Sequence, residues 1–337
     1  MSHILIDGRW FKATGIGRYV ESLTTQLLKI DQKNNYSALI RPEDKSKLTF
    51  SDQNIRLIET DIMWYTPQEQ LLLPKVLQDA KPDLVHFANF NVPLQYRKPF
   101  VVTIHDLTLL KFKNIRGGLL SPFTYRLKDV VMRHVLKTAI VRSKVIFTPS
   151  QYVADEIVKR YRVLPEKIIV TYNAADSLLT TPKISLAKFG ITKPYLLYVG
   201  NVYPHKNLER LIRALPLINT DRAKPYHLVI AGKKDDFHNR LEKLADKLKL
   251  RESVHFTDWV SEAELAGLYR SAAAYVFPSL SEGFGIPGLE AMHHSVPVIS
   301  SNMTCLPEVY GQAAEYFDPL RIDDMARAIK VVIDDPA

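Results

Sequence analysis

The sequence predicts an α/β fold: two Rossmann-like domains, each built on a parallel sheet, facing one another across a central cleft. Three observations carry this. Short β-branched or aromatic runs recur along the chain, many apolar on both faces, as strands buried within a parallel sheet are. Helical patterns lie between most of them, which is the signature of βαβ units. Finally, 337 residues exceed one ordinary hydrophobic core, and a pause in the rhythm over residues 177–194 leaves two similar halves.

The first half carries the runs HILID, SALIR, IRLIE, LVHFA, FVVTIH, KVIFTPS and KIIVTYN. The second carries YLLYVG, HLVIAG, SVHFTD, AYVFPS and VPVIS. Helical spacing is clearest in RYVESLTTQLLKI, NLERLIRALPLI and NRLEKLADKLKL. The intervening SLLTTPKISLAKFGITKP reads as a linker, so the domains are expected to span 1–181 and 182–337.

With 46% hydrophobic residues the chain is globular rather than disordered. No apolar run is long enough for a transmembrane helix, and the opening MSHILIDGRWF is not patterned as a signal peptide. Cys305 is the single cysteine, which excludes disulfides and thiolate clusters and suits a reducing compartment. The net charge of +9 suits an acidic partner: phosphate, nucleic acid or an anionic membrane. Nucleic acid is disfavoured, because no recognised binding module is present and the aromatics sit within the strands.

Open parallel sheets bind ligands outside the carboxyl ends of their strands. Here the unusual residues fall just after strands: DGRWFKATGIGRY, HDL, PSQ and NAAD in the first half, and GNVYPHKN, GKKDD and SEGFGIPGLE in the second. In the first loop, Gly15 and Gly17 precede a helix expected from about Arg18. They make either a flexible turn or a backbone that approaches an anion. The third glycine of the dinucleotide fingerprint is missing and no GxxxxGK[ST] occurs, so NAD and P-loop ATP binding are disfavoured. His105, at the end of a buried strand, is either a satisfied core histidine, with Asp106 capping the next segment, or a group that stabilises charge. Lys206 is either solvated or a phosphate clamp beside a helix N-terminus, and Asn207 is the expected N-cap.

The stretch SEGFGIPGLEAM sets two carboxylates, Glu282 and Glu290, at the ends of a turn built from Gly283, Gly285, Pro287 and Gly288. Pro287 suits a helix N1 position, and Glu290 falls in the expected first turn. A diphosphate against the glycines would leave one carboxylate for sugar hydroxyls and the other for a ribose diol. For a bare E-x7-E, solvated carboxylates would be the better reading; the glycine turn and Pro287 favour the binding one.

These segments, with TGIGRYVESL, TIHDL, IFTPSQYVADEI, YVGNVYPHKNLERLI and LVIAGKK, resemble the GT-B glycosyltransferases of the retaining family GT4, in order along nearly the whole chain. DGRW…TGIGRY, HDL and PHKNL resemble the mannosyltransferase-like branch that uses GDP-mannose. The resemblance implies an N-terminal acceptor-binding domain and a C-terminal donor domain. It implies that Lys206 neutralises the donor diphosphate and that Gly15 and Gly17 let the first loop approach the phosphates. Glu282, with the backbone of Gly283, Phe284, Gly285 and Ile286, would orient the donor sugar. Glu290 would bind the ribose, and His105 would support the reacting sugar. Where many relatives have an arginine after the glycine, Gly200 is followed by Asn201, and His205 or another cation is expected to compensate. The sequence stops at RAIKVVIDDPA, before the cross-over helix relatives usually carry.

The resemblance also implies that no cofactor and no metal is required, in agreement with the lack of an Asp-x-Asp motif. The expected reaction is retaining transfer of a hexose, mannose first, to a glycan or lipid-linked acceptor. Rival readings are a UDP-sugar donor, a sugar-nucleotide epimerase, and a non-catalytic nucleotide-sugar-binding scaffold. Between Lys111 and Lys144 the chain is rich in cations and holds one acid, Asp129. RLKDVVMRHVLKTAIV is either an ordinary domain helix with a solvated basic face or a surface for anionic lipid. The expected location is cytoplasmic, with the cytoplasmic membrane face as the lipid-docked variant.

Overall fold

The structure, a computed structural model, describes residues 1–13, 15–48, 55–112, 122–175, 189–191 and 194–335. It divides into two compact units, Met1–Tyr172 and Asn173–Ala337. Most of the expected linker, and the expected boundary at 181/182, lie outside the described residues.

In the first unit the strands are β1 (His3–Asp7), β2 (Asn35–Ile40), β3 (Ile55–Glu59), β4 (Leu84–Phe87), β5 (Phe100–Thr103), β6 (Ile146–Thr148) and β7 (Ile168–Val170). They form one sheet in the order β3-β2-β1-β4-β5-β6-β7, every pairing parallel. The helices are α1 (Gly15–Ile30), α2 (Pro67–Leu71), α3 (Leu73–Ala80), α4 (Thr108–Lys111), α5 (Pro122–Arg142) and α6 (Gln151–Tyr161). Alternate strand residues go to opposite faces. Leu5, Leu39 and Val85 enter one core cluster, and Ile6, Ala38 and Ile40 the other. Apolar residues on both faces thus produce a sheet with two buried faces, as the sequence predicts.

In the second unit the strands are β8 (Tyr195–Val199), β9 (His227–Ala231), β10 (Val254–Asp258), β11 (Ala274–Phe277), β12 (Val298–Ser301) and β13 (Ala314–Phe317). The order is β10-β9-β8-β11-β12-β13, again all parallel. The helices are α7 (Leu208–Ile218), α8 (Asp236–Lys247), α9 (Glu262–Ser271), α10 (Ile286–His293), α11 (Leu306–Tyr310) and α12 (Ile322–Asp334), and α12 packs on α7. The sequence reading omits β13. This strand lies at the sheet edge, and only Phe317 of its four residues is fully buried, so it lacks the doubly apolar pattern of the others.

In both sheets the strand order reverses direction between two neighbours, β1 and β4 in one and β8 and β11 in the other. Connections on either side of such a switch point leave in opposite directions and open a crevice at the carboxyl ends. The candidate residues follow β1, β8 and β11, except His105, which follows β5.

Candidate active site

In the second unit, the neighbouring positions of β8 and β11 bring their following loops together. Lys206 ends a short 3-10 turn, Pro204–Lys206, after β8, and Glu282 follows β11. Their side chains meet, Lys206 Nζ donating to Glu282 Oε1 at 2.6 Å, with each side chain 13% exposed. The ammonium also lies 5.7 Å from the centre of the Phe277 ring. The backbone N–H of Glu282 donates to Thr304 Oγ1 at 3.2 Å. His205 is buried, and its carbonyl accepts from Leu280 N–H at 2.7 Å, tying the two loops.

Asn207 occupies the N-cap position of α7 but makes no side-chain cap, which corrects the expectation. Its left-handed backbone, φ 61°, turns the amide elsewhere: Nδ2 donates to the carbonyls of Pro278, at 3.0 Å, and Pro319, at 2.8 Å. Arg210 holds the other end of the amide at 2.8 Å. Lys206 thus stands on a residue stapled to the loops after β11 and β13.

Gly285 is the N-cap of α10 at φ 111°, a conformation open to glycine. A β-carbon at Gly285 or Gly288 would stand 2.5 or 2.3 Å from the Tyr310 hydroxyl, which donates to the Gly285 carbonyl at 2.5 Å. Both glycines therefore admit Tyr310. Gly283 and Phe284 are buried and Ile286 partly so, and Cys305 Sγ reaches the Phe284 carbonyl at 3.3 Å. Since α10 opens at Ile286, Pro287 is its second residue rather than its first, and Glu290 falls just beyond the first turn. Glu290 is 2% exposed and accepts from the Tyr269 hydroxyl at 3.1 Å. Gly200, at φ 138°, packs against Gly232, where a β-carbon would stand 2.1 Å from the Gly200 carbonyl. Asn201 is exposed, its carbonyl accepting from the Tyr198 hydroxyl.

In the first unit, α1 starts at Gly15, three residues earlier than expected. Gly15 is exposed with open space above its α-carbon, whereas a β-carbon on Gly17 would lie 2.4 Å from the Trp10 carbonyl. Gly17 thus lets the helix lie against the first loop. His105 follows β5. Its Nε2 is 2.8 Å from the Ala88 carbonyl; a carbonyl only accepts, so Nε2 carries the proton. Burial holds its pKa below the usual imidazole range, against the raising effects of that bond and of Asp106. Tyr19 packs edge-on to it at 4.9 Å, and Thr103 joins Tyr19 and His86. Burial, then His105, lowers His86 to about 4. Asp106 accepts from Thr108 N–H at 2.7 Å, ordering the start of α4.

A constellation absent from the sequence reading lies beside β1. Arg9, fully buried, donates to Asp7 Oδ2 at 2.7 Å and to Glu69 Oε1 at 2.8 Å. Burial opposes its charge, but the two carboxylates outweigh that and raise its pKa. Glu69 stands sixty residues away, and its segment PQEQLL gives no sign of it. Tyr269 and Tyr310 are missed for the same reason, although the Gly285/Gly288 pair hints that something large must fit there.

A family model described as Glycosyl transferases group 1 matches residues 184–337. One described as Glycosyltransferase Family 4 matches residues 13–177. The chain is 31% identical to the O-antigen chain mannosyltransferase RfbU of Salmonella typhimurium over 77% of its length and 67% of the relative's. It is 28% identical to O-antigen chain mannosyltransferase B of Escherichia coli over 95% and 87%. Among solved structures, sucrose-phosphate synthase from Thermosynechococcus elongatus superposes with a TM-score of 0.73 at 21% identity, covering 99% of this chain and 90% of that one. WaaG, a glycosyltransferase involved in lipopolysaccharide biosynthesis, superposes with a TM-score of 0.72 at 17% identity, covering 99% and 91%.

Two parallel-sheet α/β domains of this topology are those of the GT-B glycosyltransferases. The chain belongs to glycosyltransferase family 4, and it is a glycosyltransferase.

Proposed function

We propose that the protein transfers mannose from GDP-mannose to a glycan or lipid-linked acceptor, with retention and without a metal. The observation that carries this reading is the Lys206–Glu282 pair at the switch point of the second sheet, beside the glycine turn that opens α10. The relatives named as mannosyltransferases of O-antigen synthesis support the choice of sugar.

The chemistry follows from charge. Cleaving the bond between sugar and diphosphate leaves an oxocarbenium-like sugar and an anion. Lys206 is assigned to the anion, exchanging its Glu282 partner for phosphate oxygens as negative charge develops. Glu282, released, is assigned to sugar hydroxyls and Glu290 to the ribose; in the first unit, neutral His105 is assigned to the reacting sugar.

The outer face of α5 supports docking on an anionic lipid surface at the cytoplasmic face of a membrane, where a lipid-linked acceptor would be met. Leu127, Val130, Val131 and Val141 are exposed, alongside exposed Arg126, Lys128 and Lys137. Asp129, the helix's one acid, is paired with Arg133 at 2.7 Å. The inward residues Val135, Leu136, Ala139 and Ile140 are buried, so the helix is apolar on two sides, one facing the core and one facing out. Among the described residues no helix is long and apolar enough to cross a membrane.

The test is a thermal-shift panel of GDP, UDP, ADP and their sugar conjugates, with and without EDTA. At 100 times its dissociation constant a native-state ligand adds about 2.7 kcal/mol to stability. Stabilisation by GDP and GDP-mannose that survives EDTA is the expected result. A UDP-selective shift overturns the donor, an EDTA-sensitive one overturns metal independence, and no shift with any nucleotide overturns the donor site assigned to Lys206, Glu282 and Glu290.

A further inference from the structure

The carboxyl edge of the first sheet carries a second cluster, assembled from the loops after β1, β2, β3 and β4. Trp10 stacks on Trp64 with ring centres 4.3 Å apart, and Tyr65 meets Trp10 edge-on at 5.7 Å and Phe90 at 5.8 Å. The Arg41 guanidinium lies over Trp64 at 5.4 Å. Tyr65 is 42% exposed, although tyrosine is an aromatic side chain that this cluster has every apolar reason to bury.

The backbone explains the exposure. Tyr65 sits at φ 61°, the left-handed region, without being a glycine. Strain of this kind persists only where the surroundings over-determine it, and it gathers at ligand sites. Here the determinant is visible: Glu69 Oε2 accepts from Tyr65 N–H at 2.9 Å and from Asn91 Nδ2 at 3.2 Å, while Glu69 Oε1 is held by Arg9. The buried Asp7–Arg9–Glu69 triad therefore fixes the Tyr65 backbone, and Asn89 Nδ2 donates to its hydroxyl at 3.2 Å.

Two further atoms of the cluster point to a ligand. Trp10 Nε1, a donor, and Asn91 Oδ1, an acceptor, are buried with no hydrogen-bond partner among the described residues. Buried polar groups are costly unless paired. A hydroxyl can meet either kind of atom, because it both donates and accepts.

Charge selects the ligand class. Arg9 is matched by two carboxylates, and Arg41 is paired with Glu43. With both cations of this cluster matched by carboxylates, neither is left over for a diphosphate. Aromatic faces with a few fixed polar groups suit a neutral, ring-shaped, hydroxylated molecule.

We propose that Trp64 and Tyr65, backed by Trp10, Asn89 and Asn91, form a shelf for a neutral pyranose ring of the acceptor, with the buried triad as its positioning device. The proposal rests on the glycosyl-transfer reading above only for the word acceptor; saccharide binding itself does not require turnover.

The test uses the full chain and α-linked mannobiose as the probe, followed by intrinsic tryptophan fluorescence. Titration is expected to change the emission of the wild type, since Trp10 and Trp64 lie in the cluster. Tyr65→Gly removes the ring yet suits the left-handed backbone, so it is expected to weaken binding about tenfold or more while the melting temperature stays level or rises. Tyr65→Phe keeps the ring and is expected to bind within about threefold of wild type. No emission change in the wild type, or equal affinity in Tyr65→Gly, overturns the shelf. The GDP-mannose thermal shift, read on wild type in the same experiment, reports separately on the donor reading, so either can fail alone.

Discussion

The carboxyl edges of the two sheets are built on one topology and carry opposite chemistry. At the second, one cation and one carboxylate face each other beside a turn made of glycine backbone, and the pair remains 13% exposed on both sides. At the first, the cation is sealed: Arg9 has no exposed surface and serves two carboxylates, while aromatic rings take the outer positions. An ion pair at the rim can exchange partners with a ligand. A buried triad cannot, because each partner removed leaves an uncompensated charge. The same residue types thus act as recognition in one domain and as scaffold in the other.

The sharpest break of this contrast is Arg9→Met. It leaves Asp7 and Glu69 buried without their cation, and the expected cost is about 3–5 kcal/mol of stability, seen as a lowered denaturation midpoint. A midpoint close to wild type would mean that the triad is not the scaffold described. Next in size is Lys206→Met at the other edge. Here the expected loss is in function, about 10²–10³-fold in transfer rate with the donor-induced thermal shift abolished. A full donor shift in this variant would remove Lys206 from the site. The third concerns protons. With His86 lowered to about 4 by burial and by His105, the unfolded chain takes up its proton first, near 6.5. Stability is therefore complete above that value and is lost as pH falls through the folded pKa, by up to about 3 kcal/mol. His86→Asn is expected to flatten melting temperature against pH between those limits, in part only, because burial lowers His105 as well. A curve as steep as wild type's would place the titration elsewhere.

What was legible in the sequence follows the same physical divide. Strands such as YLLYV and HLVIA announce themselves because two buried faces demand continuous apolar runs, and the turn around Gly285 does so because only certain residues tolerate it. The site loops were found by position, after strands, and the topology then placed Lys206 against Glu282. What stayed hidden are contacts made across sequence distance. Nothing near Arg9 names Glu69, and nothing near Glu290 names Tyr269. AEYF hides as a strand because Glu315 faces out to Arg327 at 3.0 Å, so its pattern is that of an edge. Asn207 carries the composition of an N-cap, but its left-handed backbone gives the amide a different use.

That amide has a further consequence. It binds carbonyls 71 and 112 residues downstream, and the next residue upstream is Lys206. The last strand of the second sheet and the ammonium at its centre are therefore parts of one linkage. A shift of the β13 edge would break its pairing with β12 and, through Asn207, would also reach Lys206. Insertions or splices near Pro319 should accordingly show themselves as altered ligand affinity in a protein that still folds.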